Sequence, residues 1–276
     1  MPELPEVESI ARKLNDGNGN PPLPGQIITH ATISWPRHIA IPAVSTFRRN
    51  IRSRMVESVG RRGKYLVIKL DRGTLLLHLR MSGDLYITPP GAAKGPYEHT
   101  IFHLDSNWQL RFSDARKFGK IYLLNSPEKI LDQLGPEPLG PTFTLANFQS
   151  RLRSKKRQIK ALLMDQSFLA GLGNIYTDEA LFLAKIHPRL RSNTLTDDQI
   201  KLLWDAIRTT LEDGIRANGA SIDWVYRGGS FQNQFKVYQR TGEPCQRCGT
   251  PIERITLGQR GTHFCPSCQQ ELTNDS

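Results

Sequence analysis

The chain has no cysteine in its first 244 residues and only four in all 276. A disulfide framework spread through the fold is therefore excluded. Acid is also scarce: 26 Asp and Glu face 37 Lys and Arg, for a net charge of +11. No apolar run approaches the roughly 18 residues that a membrane-spanning helix needs. There is no lipidation motif, internal repeat or biased tract. The opening residues, MPELPEVESI, lack both the cationic and the apolar parts of a secretory leader. What remains is a folded, strongly basic protein, a composition suited to a polyanion such as nucleic acid or an anionic surface.

The positive charge is clustered. RRNIRSRMVESVGRRGK (48–64) has seven Lys or Arg against Glu57 alone, and RLRSKKRQIK (151–160) has six with no acid. Solvated faces are the plain reading; contact with phosphates is the one the overall charge favours. The four cysteines fall together near the C-terminus as Cys245-x2-Cys248 and Cys265-x2-Cys268, with sixteen residues between the pairs. That spacing is the one by which two tight turns hold a tetrahedral zinc ion, two disulfides being the alternative. A four-cysteine site leaves no open position for water, so one structural Zn2+ per chain is expected. The hairpin between the pairs carries Arg254 and Arg260.

Along the chain, IITHATIS, YLVIKL, TLLLHLRM, HTIFHLD, WQLRFSD and KIYLLN are short apolar or alternating runs between turn residues, and predict a β domain over about 25–125. Four prolines and two glycines between 127 and 141 mark a linker. LANFQSRL, QIKALLMDQ, NIYTDEALFLAKI and DDQIKLLWDAIRTTLEDGIRANG then carry helical periodicity. Residues 221–235 show no period and are expected to form a mobile loop. Within QSFLAGLGNIYTDEAL, Gly171 and Gly173 permit a sharp turn, and Asn174 is expected to cap the helix that follows. Such a junction is an ordinary corner between helices or, with its free N–H groups, a phosphate site.

The N-terminus itself is organised. Pro5 suits a first helical position, Glu6 and Glu8 suit the first turn, and Val7, Ile10, Ala11 and Leu14 recur on one face. A helix from residue 5 to about Asp16-Gly17 leaves Pro2 and Glu3 just outside its positive end. Without such a helix, these two would be an unremarkable loose terminus.

MPELPEVE, GRRGKYL (60–66), HLRMSG (78–83), DARKFG (114–119), AGLGNIYTDEAL and GQRGTHFCPSCQ together resemble the bacterial formamidopyrimidine-DNA glycosylases. That is the purine-directed branch of the helix–two-turn–helix DNA glycosylases. The resemblance runs through nearly the whole chain in the family's order. Leu4 favours this branch over the endonuclease VIII type, which usually opens PEGPE and removes oxidised pyrimidines. The resemblance implies an α+β multidomain protein. An N-terminal helix plus β-sandwich catalytic domain would span 2–135, a helical helix–two-turn–helix DNA-binding domain 142–235, and a four-cysteine zinc-ribbon hairpin 236–270.

The implied activity is excision of 8-oxoguanine and formamidopyrimidines from double-stranded DNA, followed by strand cleavage at the abasic site. The enzyme would act as a monomer in the bacterial cytoplasm, on nucleoid DNA and not on membrane. If Met1 is removed, Pro2 presents a secondary amine titrating near 7.7–8.0, which a helix N-terminus lowers further. Pro2 would be the nucleophile, Glu3 the general acid/base, and Lys64 a phosphate contact that assists proton transfer. Met81, Arg116 and Phe118 would fill the hole left by the flipped nucleotide. Read alone, Met81 and Phe118 are more often core residues than wedge residues. His99, Lys156, Asn174 and Arg260 would contact the DNA backbone, with Arg260 also assisting elimination. Glu6 and the 221–231 loop would face the flipped base. A zinc-ribbon DNA-binding protein without catalytic activity remains an alternative: it would need the charge and the cysteines, but neither the PE start nor Lys64.

Overall fold

In a computed structural model, residues 1–222 and 228–271 are described, and the chain divides into two compact units. The first comprises Met1–Asp132 with Asn218–Gly229, the second Gln133–Ala217 with Ser230–Ser276.

The first unit opens with helix α1 (Leu4–Asp16), whose buried face is built from Leu4, Val7, Ile10, Ala11 and Leu14. Each fully buried aliphatic side chain of this kind contributes about 1.5–3 kcal/mol. The helix ends where the sequence predicts, at Gly17. That residue takes φ +83°, and a Cβ there would lie 2.1 Å from the Asn20 carbonyl oxygen. Only glycine fits.

Nine strands follow among the described residues: β1 (Ile27–Ile33), β2 (Ile39–Ile41), β3 (Arg54–Arg62), β4 (Tyr65–Leu70), β5 (Thr74–His78), β6 (Gly83–Thr88), β7 (Glu98–Leu104), β8 (Gln109–Asp114) and β9 (Lys120–Leu124). Their order is β2-β9-β5-β4-β3-β1-β7-β8-β6, and only β2 with β9 is parallel. β3 pairs with β1 only at Arg54 and Met55, then runs along β4 from Val56 to Arg62, so it turns the corner between two halves. Inward residues of both halves, among them Ile28, Phe102 and Phe112 on one side and Val56, Leu66, Leu75 and Ile121 on the other, form one core. This is the expected β-sandwich, with α1 packed on β3, β4 and β6.

All six runs read as strands are strands. β3, β6, the short β2 and helix α2 (Val44–Ile51) were not anticipated. In β3 the register shifts between Val56 and Ser58, so its buried residues, Val56 and Val59, are three apart. A bulge of this kind hides the two-residue period. A one-turn helix, α3 (Glu128–Leu131), closes the unit.

The second unit holds α4 (Leu145–Arg153), α5 (Ile159–Leu163), α6 (Asn174–Leu183) and α7 (Asp197–Arg216), one for each helical run in the sequence. It also holds the hairpin β10 (Glu253–Leu257) and β11 (Arg260–Phe264). Helix α7 starts in a reciprocal cap between Thr196 and Gln199. The start of α6 differs from expectation: Gly173 is the cap, and Asn174 is the first helical residue. One position inside the helix, Asn174 instead donates its Nδ2–H to the Gly261 carbonyl at 2.9 Å. Part of the proline-rich stretch docks on this unit through Gly135 N–H to Gln166 O (2.8 Å) and Ala170 N–H to Pro136 O (3.1 Å). No helix among the described residues is long and apolar enough to cross a membrane.

Candidate active site

In the first unit, Pro2 and Glu3 are buried, not frayed. Glu3 caps α1 in an extended conformation, and its N–H donates to Glu6 Oε2 at 2.7 Å. Glu6 Oε1 accepts the Ala220 N–H at 2.7 Å. Glu6 therefore ties Glu3 to Ala220, just before the 221–231 region, a task the sequence reading does not assign to it. Gly219 makes this possible: it takes φ +81°, and a Cβ there would stand 2.6 Å from Glu6 Oε1. Of the 221–231 reading, residues 223–227 lie outside the described residues.

Lys64 sits in the turn between β3 and β4 and is buried. Its charge is felt by His78, whose imidazole is pushed down to about 3, first by burial and then by Arg80 and Lys64. A base so depressed is neutral at pH 7. His78 Nδ1 accepts the Arg80 N–H at 3.0 Å, and Tyr65 packs edge-on against its ring with centroids 4.7 Å apart.

Two neighbouring turns carry the expected wedge. Met81 is half-buried between β5 and β6, whereas Phe118, between β8 and β9, is 51% exposed. Its ring is stacked by the Arg116 guanidinium 5.2 Å from the centroid. A core role for Phe118 is thereby ruled out, since no residue half in solvent drives packing. His99 lies half-buried on β7 with Nε2 unpartnered, 5.7 Å from the His38 ring centroid. Its pKa is lowered by burial, then by His38 and Lys117.

In the second unit, Lys156 is exposed after α4 and Arg260 is exposed at the start of β11. The turn before Arg260 is Gly258-Gln259, both at positive φ (53° and 62°). Such a two-residue turn matches the strand twist of a hairpin. Gly261, next to Arg260, is fastened to the helices: its carbonyl accepts Asn174 Nδ2 and Lys160 Nζ (3.2 Å). Lys160 also donates to Asp178 Oδ1 (2.6 Å) and Thr262 Oγ1 (2.8 Å). Asp178 Oδ2 accepts the His263 N–H at 2.9 Å. Glu179, beside it on α6, accepts the N–H groups of Lys236, Val237 and Tyr238 at 2.8–3.0 Å. These buried polar residues escaped the sequence reading, although two adjacent acids inside an apolar helix were a signal.

The four cysteine sulfurs all lie within 4.8 Å of one another, with Cys248–Cys265 at 3.5 Å, Cys248–Cys268 at 3.4 Å and Cys245–Cys268 at 4.0 Å. A disulfide would need about 2.05 Å. A tetrahedron of sulfurs 2.3 Å from a zinc ion has edges of about 3.8 Å, so the set fits that ion.

Comparison with known proteins agrees with this layout. Residues 1–121 match the formamidopyrimidine-DNA glycosylase N-terminal domain, 134–225 the formamidopyrimidine-DNA glycosylase H2TH domain, and 242–270 a zinc finger found in FPG and IleRS. The chain belongs to the formamidopyrimidine-DNA glycosylase family. A formamidopyrimidine-DNA glycosylase of Chloroflexus aggregans is 48% identical, with 98% of both chains covered. The structure of MutM in complex with DNA containing carbocyclic 8-oxo-G superposes with a TM-score of 0.90 at 37% identity, covering 98% of this chain and all of the other. The complex of Lactococcus lactis Fpg with abasic-site DNA does so at 36% identity, with the same TM-score and coverage. As in other family members with the finger, Cys245, Cys248, Cys265 and Cys268 form a structural Zn2+ site.

Proposed function

We propose that this chain is a DNA glycosylase of base excision repair that removes oxidised purines, 8-oxoguanine and formamidopyrimidines, from duplex DNA. It then nicks the resulting abasic site as a lyase. The observation that carries the chemistry is the burial of Pro2 and Glu3 at the positive end of α1, with Glu3 held by Glu6. A protein that only binds DNA has no use for that arrangement.

Once Met1 is removed, the Pro2 nitrogen is a secondary amine. Its lone pair attacks C1′, the bond from C1′ to the damaged base breaks, and the base leaves with a proton. Glu3 supplies that proton or protonates the sugar ring oxygen. Opening of the ring gives an iminium between Pro2 and C1′, with no dehydration of a separate carbonyl. The iminium withdraws electrons, so a proton is lost from C2′ and the 3′ phosphate is expelled; a second elimination expels the 5′ phosphate. Lys64 is buried on the same unit and would serve proton transfer and phosphate binding. Lys156, Asn174 and Arg260 would hold the DNA backbone from the second unit, Arg260 also aiding the second elimination, while His99 would do so from the first. Met81, Arg116 and Phe118 would occupy the vacated stack. We take 2–135, 142–235 and 236–270 as the domain limits and the bacterial cytoplasm as the site of action.

Single-turnover assays on 8-oxoguanine·C, thymine-glycol and preformed abasic duplexes test this reading. Excision of 8-oxoguanine should dominate. Glu3→Gln should abolish base removal while sparing part of the cleavage at an abasic site, where no base has to be protonated. Faster excision of thymine glycol, or unimpaired 8-oxoguanine removal by Glu3→Gln, would overturn it.

A further inference from the structure

The two turns that carry Met81, Arg116 and Phe118 are separate crossovers, one from β5 to β6 and one from β8 to β9, and a single carboxylate joins them. Asp114, the last residue of β8, has no exposed surface. Its Oδ1 accepts a hydrogen bond from the hydroxyl of Ser82, the neighbour of Met81. Its Oδ2 accepts the Gly119 N–H at 2.7 Å, next to Phe118. Ser82 Oγ in turn accepts the Arg116 N–H at 2.8 Å, which closes a ring of contacts between the turns. Behind the carboxylate, His38 Nε2 stands 3.4 Å from Oδ2 and is also fully buried. Burial pushes this carboxyl up, but His38, the Ser82 hydroxyl and the Gly119 N–H outweigh it and hold the group below its ordinary range.

The turns need such a tie. Each contains a non-glycine residue at positive φ, Arg80 at 55° and Lys117 at 62°. Strained backbone of this kind persists only where its surroundings over-determine it. The approach is also close: a Cβ on Gly119 would lie 2.3 Å from Phe112 Cζ and 3.0 Å from Asp114 Oδ2.

We propose that Asp114, acting through Ser82 and Gly119, is a positioning residue that couples the Met81 turn to the Arg116–Phe118 turn, so that the three side chains enter the DNA stack as one unit. This rests on the reading of those side chains as the wedge. Without the tie, each turn would find its place separately, and insertion would be slow even though every inserting side chain is present.

The test follows insertion by stopped-flow fluorescence of 2-aminopurine placed beside an 8-oxoguanine·C pair, together with single-turnover excision, undamaged-duplex affinity and thermal melting. Ser82→Ala and Asp114→Asn are compared with the double variant Met81→Ala/Phe118→Ala. Ser82→Ala removes both the bond to Asp114 and the acceptor of the Arg116 N–H, and Asp114→Asn removes the charge; either should slow insertion and excision at least on the order of tenfold. Undamaged-duplex affinity should hold. Ser82→Ala added to the double variant should cost less than it does in the wild type, because only Arg116 is left to position. If Asp114→Asn fails to fold, Ser82→Ala decides alone.

A double variant that inserts at the wild-type rate would refute the wedge reading, and this inference with it. A slow double variant beside wild-type insertion in the tie variants would refute the inference alone. So would a Ser82→Ala protein whose loss is additive with the double variant's.

Discussion

Replacing Lys160 by methionine should loosen the finger from the helices without touching either exposed arginine of the hairpin. The ammonium is 1% exposed and Asp178 is fully buried. Lys160 donates to Asp178 Oδ1, Thr262 Oγ1 and the Gly261 carbonyl, so one side chain joins α5, α6 and β11. Methionine fills most of the volume but leaves the buried Asp178 carboxylate without its ammonium, with only the His263 ring beside it at 3.3 Å. Breaking one side of such a pair costs about 3–5 kcal/mol. At 2–4 °C per kcal/mol for a protein of this size, the melting temperature should fall by about 10 °C. Adding Asp178→Leu removes the orphaned charge and should recover part of the loss. Recovery is incomplete because the His263 N–H then loses its acceptor. Calorimetry on the two single variants and the double completes the cycle, and duplex affinity measured well below melting reports the displacement of Arg260. A Lys160→Met protein melting within a degree or so of wild type would refute the reasoning, as would a double variant no more stable than Lys160→Met alone.

His78 should make the protein acid-sensitive. Its folded pKa, about 3, lies below the ordinary value of 6.5. The unfolded chain therefore binds the proton more readily between those limits. The contribution is complete above about pH 6.5 and is lost toward pH 3, at up to about 1.4 kcal/mol per pH unit. His78→Gln should flatten denaturant-derived stability in that window; an unchanged slope would contradict the assignment. Metal analysis should return one zinc per chain. Chelation, or Cys265→Ser, should weaken duplex binding by unfolding the hairpin that carries Arg260. Full affinity in the metal-free protein would count against a structural role.

Local patterns were legible and distant polar pairings were not. The α1 periodicity, the six apolar or alternating runs and the cysteine spacing each express themselves within one short stretch of chain, and each reappears in the structure. β3 was hidden because its bulge brings Val56 and Val59 to one face and because its arginines read as a charge tract. α2 follows Pro42 without a capping side chain and buries only Phe47 and Ile51, too little for a helical signal. The site divides in the same way. Pro2, Glu3 and the cysteines stand in tight motifs, whereas Lys160 meets Asp178 across 18 residues and Thr262 across 102. Asp114 lay inside the quoted DARKFG, yet its partner Ser82 is 32 residues away, and nothing in the motif shows that the acid faces inward. Residue type alone suggests Asn174 as a cap; the acceptor of its side-chain amide, Gly261, lies 87 residues on.

The central claim is that the amine of Pro2 carries the reaction. Borohydride reduction during turnover of an 8-oxoguanine·C duplex, followed by proteolysis and mass spectrometry, tests it most directly. A stable cross-link is expected on the N-terminal peptide, with the sugar remnant on the nitrogen of Pro2. No trapping is expected when Met1 is retained. A cross-link mapped to Lys64 or another lysine, or undiminished trapping by protein that keeps Met1, would contradict the claim.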